Sequence, residues 1–275
     1  MLYRGFSQDE LEQAYSPSSM VGGDISPYLA SYAALSAQAR ADNTVRENLR
    51  YGDAPMQVLD FFPARDANAP LHVFIHGGYW RALSQRDSAV MAPAIVDAGQ
   101  SFATLNYTLA PDARLPQMIS ECRDALLWLA QEAQALGIDP RRITLSGHSA
   151  GAHLAAMVMA TSADALAKAG LRLREVILIS GVFDLEPISL VSVNEPLQLT
   201  PVDIHDLSPI LHLPTPGPHY HVTVAEHDTP EFIRQSREYA EALRKAGHSV
   251  SFELQRGMQH FDIIMHPKTF LSGTR

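Results

Sequence analysis

Short apolar runs alternate with longer amphipathic stretches through most of this chain, and that alternation restricts the fold more than any other feature. The run at residues 71–75 is followed by a helical pattern from Ser84 to about Ala98. The run at 102–105 is followed by one over 116–135, and the run at 143–145 by one over 150–160. A further run lies at 176–179; then 221–225 precedes a helical pattern over 230–246, and 250–254 precedes a terminal helix near 261–271. Strands buried on both faces read as continuous apolar runs, and parallel neighbours need a crossover helix between them. The pattern predicts an α/β chain with a doubly wound, mostly parallel sheet.

Two regions depart from the alternation. Residues 9–40 read as an amphipathic helical entry arm broken by Ser16-Pro17 and by the turn at 21–24; strand-like runs at 45–50 and 56–62 then predict an antiparallel hairpin. Between Phe183 and Pro218 lie many prolines and no long periodic segment. That is more loop than a compact domain carries without a purpose, so a lid or pocket-forming insertion is expected, with a passive surface excursion as the alternative. At 275 residues, 46% of them hydrophobic, the chain suffices for one well-buried core, and residues 1–275 read as a single domain.

Charge narrows the partners. With 21 Lys and Arg against 30 Asp and Glu, the formal net charge of −9 offers no clustered cation to phosphate backbones or anionic lipid. Neither nucleic acid nor membrane is expected; a small-molecule substrate is, and a homodimer stays open. The single cysteine, Cys122, cannot close an internal disulfide, which suits a reducing compartment. Without a secretory apolar stretch or a run of ~20 apolar residues, a cytoplasmic location is the expectation. His219 and His221 alternate onto one strand face, but no Cys-x-x-Cys, His-Glu-x-x-His or carboxylate cluster accompanies them, so no metal and no cofactor are expected.

The chemistry concentrates at glycine-flanked turns. Gly147-His148-Ser149-Ala150-Gly151 follows a short apolar strand and opens an alanine-rich helix, the setting in which a serine hydroxyl is presented above a sheet on a sharp turn. The helix N-terminus and the Ala150 amide then face negative charge developing on a substrate oxygen. His76-Gly77-Gly78-Tyr79-Trp80 follows an earlier strand, where the Gly78 and Tyr79 amides can complete an oxyanion hole; His76 is expected to brace that loop. A serine needs a base, and the base a carboxylate to fix its tautomer. Asp228 lies just beyond the strand ending at Ala225 and His260 just beyond the next, so the order is serine, acid, histidine. Loops at the C-terminal ends of parallel strands share one edge, which would bring Ser149, Asp228 and His260 together. Glu226 is the rival acid and His266 the rival base, while His148 and His153 read as packing or polar contacts.

These motifs resemble the kynurenine formamidase (arylformamidase) group of the α/β-hydrolases. The resemblance covers most of the chain. It rests on Tyr15-Ser-Pro-Ser18, the loop from His76 to Trp80, the segment from Gly147 to His153, and the stretches 180–187, 193–197, 225–228 and 257–262. The glycine loop and elbow are shared with many esterases; the Tyr79-Trp80 pair and residues 180–197 are the more particular signals. What the resemblance implies is an α/β-hydrolase fold, a metal-free Ser149–His260–Asp228 triad, and hydrolysis of N-formyl-L-kynurenine to formate and kynurenine. A narrow acyl pocket beside Tyr79 and Trp80 would suit a formyl group, and an aryl ring could stack on Trp80, Tyr107 or Phe183, with ordinary core packing the alternative for the Tyr79-Trp80 pair and an equal one for Phe183. The alternatives are a broad carboxylesterase or amidase on small aryl or short-chain substrates, and a non-catalytic binding protein on the same scaffold. The last of these would be expected to lack a triad member, and all three are present.

Overall fold

The computed structural model describes residues 2–271. Eight strands form one sheet in the order β1-β2-β4-β3-β5-β6-β7-β8. They are β1 Arg46–Arg50, β2 Val58–Phe62, β3 Ala69–Ile75, β4 Ser101–Leu105, β5 Ile138–His148, β6 Leu173–Ile179, β7 His219–Ala225 and β8 Val250–Gln255. β1 and β2 form the expected antiparallel hairpin, β2 joins β4 antiparallel, and the remaining neighbours are parallel. From β3 the chain moves to β4 on one side and returns to β5 on the other. The order therefore reverses between β3 and β5, and such a switch point opens a crevice at the carboxyl ends of the strands.

The helices are α1 Gln8–Ala14, α2 Ser26–Asp42, α3 Ala92–Asp97, α4 Leu115–Gln131, α5 Ala133–Leu136, α6 Ala150–Lys168, α7 Glu186–Ser189, α8 Asn194–Leu197, α9 Pro201–Asp206, α10 Pro230–Lys245 and α11 Lys268–Leu271. Side chains alternate across each strand, so the two faces bury separate sets. Val73, Ile75, Val176 and Leu178 pack with α4, α6 and α10; Phe74, Ile177 and Ile179 pack with Tyr32 and Ala39 of α2 and Ile95 of α3. Among the described residues no helix is long and apolar enough to cross a membrane.

Several predicted boundaries move for local reasons. The helix expected over 84–98 is a 3-10 turn at Gln85–Asp87 followed by the short α3, which starts only where Pro93 can occupy its first turn. The helix after Ser149 runs on to Lys168, because residues 161–168 continue its pattern until Gly170 turns left-handed (φ +86°). The terminal helix breaks into a 3-10 turn, Ile263–Met265, and α11, separated by Pro267.

The 183–218 stretch is neither a structureless loop nor a passive excursion. It folds as α7, α8, α9 and a 3-10 turn, and buries Ile188, Val193, Leu197 and Leu207 against the main core. Ser208 Oγ accepts from the Leu185 amide at 2.9 Å, and His153 Nε2 on α6 meets the Leu207 carbonyl at 2.8 Å.

The entry arm docks through charge. Arg40 of α2 reaches the buried Asp60 of β2 with Nη2 and Nε at 2.6 and 3.2 Å, and also donates to the carbonyls of Ser36, Gln85 and Arg86. Asp60 is completed by the Asn48 amide at 2.9 Å. Removing one partner strands a buried charge, which costs about 3–5 kcal/mol. Arg40→Met is expected to lower unfolding free energy by about 3 kcal/mol in urea titration. A loss below ~1 kcal/mol would show that the pair does not hold the arm.

Candidate active site

β5 ends at His148 and α6 begins at Ala150, leaving Ser149 alone to reverse the chain at φ +55° and ψ −119°. This is strained backbone for a residue with a Cβ, of the kind found at functional turns. The turn is tight enough to dictate its flanks. A Cβ on Gly147 would sit 2.2 Å from the Gly151 carbonyl oxygen, and one on Gly151 would sit 2.1 Å from that of Ile75. Only glycines let the first turn of α6 press against the end of β3. The Ser149 amide donates to Ile179 of β6 at 2.8 Å, fixing the turn above the sheet.

The loops after β7 and β8 bring Asp228 and His260 together. Asp228 Oδ2 lies 2.8 Å from His260 Nδ1, with both side chains buried. Oδ1 accepts from the Thr229 amide at 2.9 Å, which leaves Oδ2 directed at the ring. With Nδ1 donating to the carboxylate, the neutral ring keeps Nε2 as an acceptor. Ser149 and His260 line one cavity of about 280 Å³. The two rivals take other work: Glu226 accepts from the Gly257 amide at 2.7 Å and braces the turn after β8, and His266 is exposed outside the cavity wall.

His148 proves to be more than a filler of the variable elbow position. Its Nε2 donates to the His260 carbonyl at 2.8 Å and its ring lies 4.7 Å from the His260 ring, so the elbow directly fastens the loop that carries His260. Burial first, then the neighbouring His260, pushes its pKa well below the ordinary histidine value, so the ring is neutral.

The loop after β3 turns left-handed at Gly78, Tyr79 and Trp80 in succession, with φ of +94°, +50° and +58°. Gly78 has no substitute, since a Cβ would meet the Ala82 carbonyl oxygen at 2.2 Å. The amides of Arg81 and Ala82 both reach Gly78 O at 3.1 Å, and Ala110 N reaches Trp80 O at 2.8 Å. His76 braces the loop as expected: its ring stacks on Tyr107 at 4.5 Å, Tyr107 Oη donates to its carbonyl at 3.0 Å, and Nδ1 donates to Gly77 O at 2.9 Å. Among the described residues, the Gly78, Tyr79 and Ala150 amides donate to no protein acceptor. Gly78 and Tyr79 line the cavity beside Ser149.

The aromatic residues expected in the pocket are elsewhere. Trp80 is fully buried and meets His153 edge-on at 5.1 Å, because its own left-handed φ turns the side chain into the core. Tyr107 lies beneath the glycine loop as the platform for His76, and Phe183 stacks on Tyr239 at 4.3 Å. None of the three lines the cavity; Tyr15, Tyr32, Tyr79 and Phe261 do. The cover also differs from expectation, since the insertion contributes only Ser192 and Val193 while the entry arm supplies residues from Glu12 to Tyr32. The arm is tied to both site loops at adjacent positions. Thr229, next to Asp228, donates to Ala14 O at 2.6 Å, and Tyr79 Oη donates to Tyr15 O. Tyr15 Oη in turn donates to Glu231 at 2.8 Å and accepts from Gln235 at 2.8 Å.

His219 and His221 hydrogen-bond Ser249 and Ser251 at 2.8–2.9 Å. Among the described residues one group, His205, Asp206 and His212, sits close enough to share an ion; it lies on the insertion and outside the cavity wall.

A reversed-order parallel sheet with a strained serine at its switch point defines an α/β-hydrolase. The BD-FAE family matches residues 59–241. The kynurenine formamidase of Danio rerio is 34% identical over 274 residues, 95% of this chain and 92% of the relative. That of Drosophila melanogaster is 36% identical over 227 residues, 79% and 75% of the two chains. A solved structure described as a candidate thioesterase from Silicibacter sp. TM1040 superposes with a TM-score of 0.81 at 29% identity, covering 94% of each chain. The chain belongs to the kynurenine formamidase family and is a hydrolase.

Burial holds His76 and His153 neutral, with pKa values lowered to about 4, and does the same more strongly to His148. The unfolded chain protonates these rings near 6.5 while the folded chain refuses the protons, so stability present above pH 6.5 is lost as pH falls toward 4. The expected slope is on the order of 1 kcal/mol per pH unit for each ring. Urea unfolding at pH 7.5 and pH 5 measures it, and equal free energies would contradict the burial argument.

Proposed function

We propose that the chain hydrolyses N-formyl-L-kynurenine, or a closely similar aryl formamide, to formate and the free arylamine through a formyl-enzyme on Ser149. The observation that supports this most is the 2.8 Å Asp228–His260 hydrogen bond on the same cavity as the strained Ser149. The similarity to kynurenine formamidases at about one-third identity supports this choice of substrate.

The chemistry follows from the positions. His260 Nε2 takes the proton of Ser149 Oγ as the oxygen attacks the formyl carbon, and Asp228 stabilises the imidazolium that results. The carbonyl oxygen becomes an oxyanion that the free Gly78, Tyr79 and Ala150 amides receive, each such donor being worth about 3 kcal/mol in the transition state. His260 then protonates the departing aryl nitrogen, and the C–N bond breaks. Water, deprotonated by the same ring, attacks the formyl ester; formate leaves and Ser149 recovers its proton.

The cavity suits this substrate in size. At about 280 Å³ it lies just below the usual range of ligand pockets, roughly 300–1,000 Å³, and so favours a small substrate. A one-carbon acyl group leaves that space for the aryl side.

Ser149→Ala is expected to lower kcat on N-formyl-L-kynurenine by about 10⁴-fold or more with the fold retained by circular dichroism. Activity surviving that change would remove the serine mechanism. A broad esterase is distinguished by comparing kcat/KM for N-formyl-L-kynurenine with that for p-nitrophenyl acetate; the formamidase reading requires the former to be higher. Across p-nitrophenyl esters, acetate should exceed octanoate, and the reverse order would rule out a narrow acyl site.

A further inference from the structure

Two charged side chains on the cavity wall stand out from its largely apolar remainder. Arg81 and Glu12 line the same space as Ser149 and His260, together with Leu29, Tyr32, Val193 and Phe261. Arg81 lies just beyond the glycine loop, and its amide is fixed to Gly78 O at 3.1 Å. The residue is exposed, and among the described residues its guanidinium makes no hydrogen bond or ion pair, so its fork is open to a ligand. Glu12 is held in place. Its Oε1 accepts from the Ser192 amide at 2.7 Å and from Gln8 Nε2 at 3.3 Å, and its Oε2 from Ser192 Oγ at 2.9 Å. A carboxylate offers about four lone-pair sites, so acceptor capacity remains.

An anchored anion and an unpaired cation at one cavity are the complement of a zwitterion. An α-amino acid end carries a planar carboxylate, which the guanidinium fork matches with two parallel hydrogen bonds, and an ammonium, which a carboxylate receives. The apolar wall is left for an aryl ring.

We infer that Arg81 is the specificity residue that receives the α-carboxylate of an aryl amino acid substrate, with Glu12 facing its ammonium. This deepens the proposed function and rests on it for the reacting group. It does not rest on it for the binding chemistry. A neutral aryl ester or amide engages neither charge, so the pair separates amino-acid-bearing substrates from the neutral substrates of a general esterase. Arg81 is exposed, and an arginine there that met only solvent would give no such separation.

The test is binding to the native protein by calorimetry, with L-kynurenine and with 2-aminoacetophenone, the same aromatic ketone without the amino acid. The expected ratio of affinities is about 30-fold in favour of L-kynurenine, equivalent to ~2 kcal/mol. Arg81→Gln should bring the ratio close to unity, and Arg81→Lys, which keeps the charge but loses the fork, should fall between. Raising sodium chloride to about 0.5 M should weaken L-kynurenine and leave the neutral ketone unaffected. Equal affinities in the native protein, or a ratio that Arg81→Gln preserves, would overturn the assignment. Turnover of N-formyl-L-kynurenine is scored separately. An Arg81-dependent preference without turnover would sink the formamidase reading and keep the subsite; turnover with a ratio indifferent to Arg81 would do the opposite.

Discussion

The site depends on one close approach, that of the first turn of α6 to the carboxyl end of β3. Gly151 lies against the Ile75 carbonyl so closely that any side chain is excluded, and Gly147 lies as closely against Gly151. That contact sets Ser149 in its left-handed conformation and aims the start of α6 at the glycine loop leaving β3. Ser149 and the unpartnered Gly78 and Tyr79 amides, the proposed nucleophile and oxyanion donors, are thereby brought to one place by the packing of two neighbouring strands, without help from the loops that carry Asp228 and His260. The switch in strand order between β3 and β5 is what makes these two loops neighbours.

The second layer of organisation comes from the chain's beginning. Residues 14 and 15 accept hydrogen bonds from Thr229 and Tyr79, so the arm spans the loop bearing Asp228 and the glycine loop after β3. The same arm closes the cavity through Tyr15 and Tyr32 and is held from behind by the Arg40–Asp60 pair. A segment that looks like a leader to the fold therefore supplies much of the pocket, and its dislocation would disturb loops far from it in sequence.

Much of this was legible in the residues because it follows local rules. Runs such as 71–75 and 176–179 are apolar because parallel strands are covered on both faces, and the spacing of Ser149, Asp228 and His260 follows from where such strands end. Asp228 could be separated from Glu226 only by direction: one carboxylate points at His260 and the other at the Gly257 amide. The pocket was less legible. Trp80, Tyr107 and Phe183 sit beside motif residues in sequence, yet the left-handed turns of the glycine loop and the stacking of Tyr107 and Phe183 bury them. Tyr15 and Tyr32 reach the cavity through tertiary docking of the arm, which no periodicity records. The role of His148 was hidden similarly, since its partner is a backbone carbonyl 112 positions away.

A single strained serine, Ser149, activated by the Asp228–His260 pair, is the proposed reacting group. The most direct measurement is peptide mass spectrometry after exposure of the native protein to a fluorophosphonate. One stoichiometric adduct is expected, on the peptide containing Ser149, and it should form far more slowly when His260 is replaced by alanine. An unmodified Ser149, or an adduct on another residue, would contradict it.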